Sequence, residues 1–348
     1  MRHFLSYQEI KQIQSEYERT VVGIGNFDGL HRGHQALLHA VLDLSHFQKL
    51  IPSILTFDPH PLRFFRGSQG PRQIYSAIDR QMLLNSLGIE LTLTQKFTHD
   101  FASLSPHDFV KEVLVDAFQA KYVVVGYDFA FGAKRAGTLD DLIEFGRIYD
   151  FNVKVIEAQI PEQDHFPRQT DQRPFSSTWI RELIINGDVD IVTQALGRPY
   201  HLRAKVVRGL QRGRKLGFPT ANLELTSELC PSPGVYAGWL DWEQGPKPAV
   251  ISIGSNPTFD QAHLPSSHQK WSVEVHVLDV IHPQELNLYE QEVALWFTKR
   301  LRDMERFSTV EALIAQIKSD CEQATNALLS EGPPTWPLSI EHNSSYSR

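Results

Sequence analysis

Between residues 20 and 195, short apolar runs alternate with helical patterns, and this alternation restricts the fold more than any other feature of the chain. TVVGIGNF (20–27) precedes the helical pattern HQALLHAVLDLS, and IPSILTF (51–57) is followed by a polar loop and then PHDFVKEVLVDAF. KYVVVGY (121–127) is the strongest buried-strand run, after which LDDLIEFGRIYD reads as helix, FNVKVIEA as strand and WIRELII as a short helix. Strands and helices in alternation predict a Rossmann-like parallel sheet with helices on both faces. Such sheets bind ligands beyond the carboxyl ends of their strands.

After Gly197 the pattern changes. HLRAKVVRG, GVYAGWLDW, PAVISIG, WSVEVHVLD and EVALWFTKR are strand-like runs separated by Gly and Pro, which predicts a small antiparallel β-barrel or sandwich. A C-terminal helix should close it: Ser308 and Glu311 have capping-box spacing, and Val310, Leu313, Ile314, Ile317, Ala324 and Leu328 recur at helical intervals. The change of pattern places the boundary near 188–200. We therefore expect domains over 1–190 and 191–330, with 331–348 a disordered tail.

Composition narrows the function classes. The chain has 348 residues, 41% of them hydrophobic and 22% charged, which excludes a collagenous, coiled-coil or wholly disordered chain. No run approaches the roughly 18 apolar residues of a spanning helix, and the polar N-terminus shows no secretory h-region. Cys230 and Cys321 stand alone, without a disulfide framework or metal knuckle, so a cytoplasmic setting is expected. A net charge of −7 argues against nucleic acid as a partner. The charge is uneven, however. From Arg198 to Lys215 there are seven basic residues and no acidic one, which points to a small anionic ligand.

In the first half, Gly23-Ile-Gly25-Asn-Phe27-Asp28-Gly29 only approximates a dinucleotide fingerprint, because Asp28 stands where its third glycine belongs. His31-Arg32-Gly33-His34 follows at the start of a helix. Two histidines three apart share one face of the first turn, where backbone N–H groups and the helix dipole favour anions. Gly33 would let a phosphate approach the backbone. A surface histidine pair or half of a metal site would give the same spacing. Thr56-Phe-Asp58-Pro-His60-Pro61, Gly126-Tyr-Asp128-Phe-Ala-Phe-Gly132 and Ser176-Ser177-Thr178, with Arg181 after it, lie at strand ends or helix starts and could share one crevice.

In the second half, the basic run ends in Gly213-Arg-Lys215-Leu-Gly217-Phe-Pro219-Thr220-Ala-Asn222. Glycines flanking cations can wrap phosphate. In an extended segment Thr220 and Asn222 point to one side as oxygen donors suited to Mg²⁺. A solvated basic hairpin is the plain alternative. In Trp271-Ser-Val-Glu274-Val-His276-Val, alternation puts Trp271, Val273, Val275 and Val277 on one face and Glu274 with His276 on the other. Glu274 is then either the wet face of a barrel strand or a base for an attacking alcohol.

GNFDGLHRGH, TFDPHP, VGYDFAFG and FSSTWIREL, in that order, resemble the nucleotidyltransferase module of prokaryotic bifunctional riboflavin kinase/FAD synthetases. GRKLGFPTANL, PSPGVYAG, SIGSNPTF, VEVHVLD and RLRDMERF resemble the kinase module of the same family. The resemblance implies ATP-dependent phosphorylation of riboflavin to FMN in the second half and adenylylation of FMN to FAD in the first. It implies that His31, His34 and Arg181 are catalytic in adenylyl transfer. Gly25, Phe27, Asp28, Gly33, Ser177 and Thr178 would bind ATP phosphates there, and Gly213, Lys215 and Gly217 would do so in the kinase half. It further implies that Asp58 and Asp128 lie near the flavin, that Thr220 and Asn222 hold Mg²⁺, and that Glu274 deprotonates the ribityl hydroxyl. Riboflavin, FMN and ATP would be the partners, with neither nucleic acid nor membrane, and a homo-oligomer stays open.

Four positions depart from the family pattern: Ala130 and Trp179 where arginine is frequent, Ala204 for a glycine, and Glu290 for a glycine. Two other readings remain at this point: a protein with one active half, or a non-catalytic flavin or nucleotide sensor.

Overall fold

The computed structural model describes every residue except 1, 14, 16–18, 162–172, 209–215, 227–228, 256–270, 279–287 and 335–348. The chain divides into two compact units. Among the described residues, the first is built from those up to Pro71 together with Ser76–Phe175, and the second from Arg72–Tyr75 together with 176–334.

The first unit is a parallel sheet of six strands: β1 (Arg2–Phe4), β2 (Thr20–Ile24), β3 (Ile51–Asp58), β4 (Leu91–Lys96), β5 (Ala120–Gly126) and β6 (Asn152–Ile156). Their order is β1-β4-β3-β2-β5-β6, with every pairing parallel. β2 is buried along its whole length, because apolar layers cover both faces, as parallel sheets require. On one face Val22, Ile24, Val123 and Val125 pack with Leu114 and Phe118. Helix Arg32–Gln48 packs against β2, β3 and β5. Gly23 lets it approach, since a Cβ there would meet Ile54, Leu37 and Val41 side chains at 2.8–2.9 Å.

The second unit is a closed antiparallel barrel of β7 (Tyr200–Val207), β8 (Ala221–Leu225), β9 (Gly234–Asp241), β10 (Lys247–Ser255), β11 (Trp271–Val277) and β12 (Glu292–Arg302), in the order β10-β11-β8-β7-β12-β9. Closure removes the sheet edges that would otherwise invite aggregation. Val273, Val275 and Val277 are buried, while Glu274 and His276 are only partly so, as alternation predicts. Gly238 is obligatory, because a Cβ would collide with the Trp296 carbonyl oxygen at 2.0 Å.

Helices Ser177–Asn186 and Val189–Leu196 belong to this unit, and the second of them packs on β12 and β7. Arg300 ties the turn between these helices to the barrel, donating to the Asn186 and Pro233 carbonyls at 3.0 Å each. Tyr75 also belongs here. Its ring stacks on His201 at 4.6 Å, with the Arg198 guanidinium 5.3 Å from its centroid.

Helix Val310–Glu331 packs on β9, β10 and β12. Its N-cap is Thr309, which accepts from the Ala312 amide, and not Ser308 as the capping-box spacing suggested. Ser and Thr are adjacent and chemically equivalent caps, so spacing alone could not separate them. The expected tail falls outside the described residues from 335 onward, and Glu331 is the last residue of this helix.

Of the four family departures, Glu290 has a local explanation. Glu290 has φ 67°, the left-handed region where glycine is unstrained, and its carboxylate reaches Lys205 at 2.6 Å. Ala204 is buried in β7 and Trp179 within its helix. Ala130 has no contact that explains it.

Arg302–Asp320 is a bidentate polar link between the closing helix and the barrel. The guanidinium meets both carboxylate oxygens at 2.9 and 2.8 Å, with Asp320 only 2% exposed. The bidentate carboxylate holds Arg302 above its ordinary pKa. Asp320→Ala should strip that half-buried cation of its buried partner and destabilise the barrel unit by about 3 kcal/mol, read as a lower denaturation midpoint. An unchanged midpoint would refute the assigned role.

Candidate active sites

In the first unit, the strand order reverses direction at β2. From there the chain moves outward to β3 and β4 on one side and to β5 and β6 on the other. The carboxyl ends of β2 and β5 therefore flank the crevice where such sheets bind ligands. The Gly25 amide still donates to the Leu55 carbonyl, after which the chain leaves the ladder. Phe27 is fully buried with φ 49°, so only its backbone is available to a ligand. The buried Asn26 Oδ1 has no hydrogen-bond partner among the described residues.

His31 is the N-cap of helix Arg32–Gln48, and its Nδ1 accepts from the His34 amide at 3.4 Å. The His31 and His34 rings stack at 3.8 Å and 20°, and Phe27 backs His34 at 5.3 Å. Accepting at Nδ1 requires a lone pair there, so a neutral His31 carries its proton on Nε2 and can donate from it. Gly33 has a second purpose besides access to the backbone. A Cβ there would press on the His31 ring at 3.1 Å and lie 3.4 Å from the Phe175 carbonyl oxygen.

Asp58 ends β3. His60 caps the next helix, Pro61–Arg66, by accepting from the Leu62 amide. Asp128 is exposed just past β5, its carboxylate beside Gly126.

The structure adds Arg80, on helix Ala77–Ser86, which the motifs did not reveal. It is 4% exposed and directs its guanidinium at the Asn26 and Phe57 carbonyls, at 3.4 and 3.5 Å. Burial pulls it below the ordinary arginine value, while the nearby Asp28 and Asp58 charges push it back up. Arg80, Leu83 and Leu84 share one helix face at i, i+3, i+4, and a cation on an otherwise apolar stripe was the available signal.

In the second unit, Thr220 Oγ1 donates to Glu274 Oε2 at 3.2 Å. Asn222 lies directly opposite Glu274 in the β8–β11 register, so all three oxygen-bearing side chains converge. Gly217 has φ 86°, and no described residue comes within 4 Å of where its Cβ would be. His276 Nδ1 is 2.8 Å from the Pro219 carbonyl oxygen. Gly213 and Lys215 lie outside the described residues.

The basic run is not one patch. Arg198 is buried beneath Tyr75, where burial lowers its pKa, and Lys205 pairs with Glu290. Ser177, Thr178 and Arg181 sit on helix Ser177–Asn186 of this unit. Ser176 is the N-cap, and Arg181 Nε donates to the Arg72 carbonyl at 2.6 Å.

A family model described as FAD synthetase matches residues 13–169, and one described as riboflavin kinase matches 196–328. A bifunctional riboflavin kinase/FMN adenylyltransferase from Buchnera aphidicola subsp. Schizaphis graminum is 31% identical over 323 residues, covering 92% of this chain and 97% of the relative. The chain belongs to the bifunctional riboflavin kinase/FMN adenylyltransferase family.

The Escherichia coli K12 member of that family is 31% identical, covering 88% of this chain and 92% of its own. A crystal structure described as a macrolide-efflux protein from Streptococcus pneumoniae superposes with a TM-score of 0.75 at 29% identity, covering 90% of this chain and 97% of that one. Among the described residues no helix is long and apolar enough to cross a membrane, and no three His, Cys, Asp or Glu side chains cluster as metal ligands. Both cysteines are free thiols. Burial pushes Cys230 up to about 12 and Cys321 up to about 11, so neither is a ready thiolate.

Arg80→Met should leave the buried Asp28 without its nearby cation. We expect a loss of about 2 kcal/mol in the first unit, measured by chemical denaturation. A variant as stable as the parent would mean that Arg80 is not the counter-charge.

Proposed function

We propose that this chain makes both flavin cofactors, phosphorylating riboflavin to FMN in its barrel and adenylylating FMN to FAD in its parallel-sheet module. The observation that carries the kinase assignment is Glu274 accepting from Thr220 while facing Asn222 across the ladder. A protein that only senses nucleotide has no use for a carboxylate beside the attacking alcohol.

In the kinase reaction, Glu274 accepts the proton of the ribityl hydroxyl as that oxygen bonds to the γ-phosphorus. The bond from the γ-phosphorus to the β,γ-bridging oxygen breaks, and ADP leaves. Thr220 and Asn222 fit Mg²⁺, since both offer neutral oxygen donors beside a carboxylate. The metal would neutralise phosphate charge. Gly217, with Gly213 and Lys215, is assigned to the ATP phosphates.

In adenylyl transfer, a phosphate oxygen of FMN attacks the α-phosphorus of ATP and pyrophosphate leaves. The nucleophile is already largely anionic, because a phosphate monoester has a second pKa of about 6, so no base is needed. The donors assigned to this step are the helix start, His31 Nε2–H and His34, supported by Gly25, Phe27, Asp28 and Gly33. Ser177, Thr178 and Arg181 are assigned to the same reaction on the family pattern, and Asp58 and Asp128 to the flavin side. We take 1–190 and 191–330 as the functional modules, in a cytoplasmic enzyme that acts on small molecules and not on nucleic acid.

Incubation with riboflavin, ATP and Mg²⁺, followed by chromatography, should yield FMN and then FAD. Product stopping at FMN would leave one active half, and no product would favour a sensor. His31→Ala with His34→Ala should abolish FAD while FMN accumulates, and Arg181→Ala should slow FAD formation about 100-fold. Glu274→Gln should cut FMN formation about 1,000-fold yet leave supplied FMN convertible to FAD. Loss of both activities from either change in a folded protein would overturn the two-site assignment.

A further inference from the structure

The β8–β11 ladder stops at the Ala221–Val275 pair. Pro219 and Thr220 lie just outside it, so among the described residues no strand pairing fixes them, and Pro219 has no N–H to contribute. A side chain supplies the missing tie. His276 Nδ1 stands 2.8 Å from the Pro219 carbonyl oxygen, a distance that only an N–H donor satisfies, so Nδ1 carries a proton. The Phe218 ring meets the imidazole edge-on at 5.6 Å and 76°, which restricts its rotation.

The Pro219 carbonyl and the Thr220 amide belong to one rigid peptide plane. Fixing that carbonyl fixes the direction in which Thr220 leaves the plane. From there the Thr220 hydroxyl reaches Glu274 at 3.2 Å. Glu274 and His276 are two residues apart on the same face of β11. One strand thus holds the Pro219–Thr220 segment at two points, the carbonyl by His276 and the hydroxyl by Glu274.

We propose that His276 is a positioning residue of the kinase site: by clamping the Pro219–Thr220 peptide it presets Thr220, beside the ladder-held Asn222, to bind the divalent cation that accompanies the nucleoside triphosphate. This rests on the assignment of Thr220, Asn222 and Glu274 made above. Groups that orient metal ligands from behind change metal affinity about 10- to 100-fold when removed. A merely structural histidine would change stability and leave the metal requirement alone.

The test uses the full chain with His276→Ala, His276→Gln and His276→Asn. The Asn carboxamide nitrogen stands about where Nδ1 does, whereas the longer Gln places its nitrogen nearer the Nε2 position. In Ala and Gln, the Mg²⁺ concentration giving half-maximal FMN formation should rise about tenfold or more, with kcat at saturating Mg²⁺ within about threefold. Asn should restore it to within about twofold. A second readout is calorimetric binding of β,γ-imido-ATP, titrated at several Mg²⁺ concentrations, in a background of His31→Ala with His34→Ala. Its Mg²⁺ dependence should shift by the same factor. In the His276 variants with His31 and His34 intact, conversion of supplied FMN to FAD should be unaffected, which shows that the first unit is intact, while kcat at saturating Mg²⁺ shows that the barrel is folded.

The proposal is overturned if Ala and Gln keep the parental Mg²⁺ requirement, or if Asn is as impaired as Ala. It is equally overturned if kcat falls while the Mg²⁺ requirement stays put. Failure of the site assignment is recognised separately, because Glu274→Gln then retains FMN formation; that result removes the proposal as well.

Discussion

A backbone polar group inside a β-ladder already has its partner, so a sheet can offer backbone binding groups only where its ladder stops. Both units are organised by that constraint. β2 is apolar and buried on both faces, and nothing along it is available to a charged ligand. The first free chemistry comes after Gly25, whose amide makes the last bond to the ladder. In the barrel the same limit falls at Ala221, and Thr220 is the first residue released from pairing with β11. Backbone groups with assigned chemistry lie at these stops, whereas Glu274 and Asn222, which stand inside the β8–β11 ladder, contribute through their side chains alone.

Release from the ladder carries a cost, since the freed segment must be held in some other way. In the first unit helix capping does this. His31 satisfies the His34 amide, and the two stacked rings form one rigid group at the helix start. In the barrel the holding groups are side chains from the neighbouring strand. The first solution uses a terminus that already carries positive potential, which suits triphosphate. The second uses neutral and acidic oxygen, which suits a cation.

Much of this was legible in the sequence because it was periodic or local. The β2, β3 and β5 runs, the valine alternation of β11 and the histidine spacing each declare themselves within a few residues. What stayed hidden depends on contacts distant in sequence. β1 has three residues, too few to show a period, and it exists because Arg2, His3 and Phe4 pair with Leu91, Thr92 and Leu93. Arg80 reads as an ordinary helical cation until Asp28 and Asp58 arrive beside it. The run from Arg198 reads as one cluster because charge counting ignores direction, whereas Arg198 turns inward and Lys205 pairs with Glu290. Thr309 over Ser308 is a choice between equal caps that only the fold makes.

The carboxylates of the two units show why similar groups take different roles. Asp28 is buried with Arg80 close by. Its charge is answered by a guanidinium that also addresses the Asn26 and Phe57 carbonyls, so it helps fix the loop after β2. Glu274 is half-buried and accepts from a neutral hydroxyl. It can exchange that hydroxyl for another proton donor without leaving a buried cation stranded, whereas Asp28 cannot leave Arg80 without that penalty. A reaction whose nucleophile arrives ionised can be served by a site whose acids are committed to structure. One that must deprotonate an alcohol needs an acid whose partner can be exchanged, and Glu274 satisfies that condition.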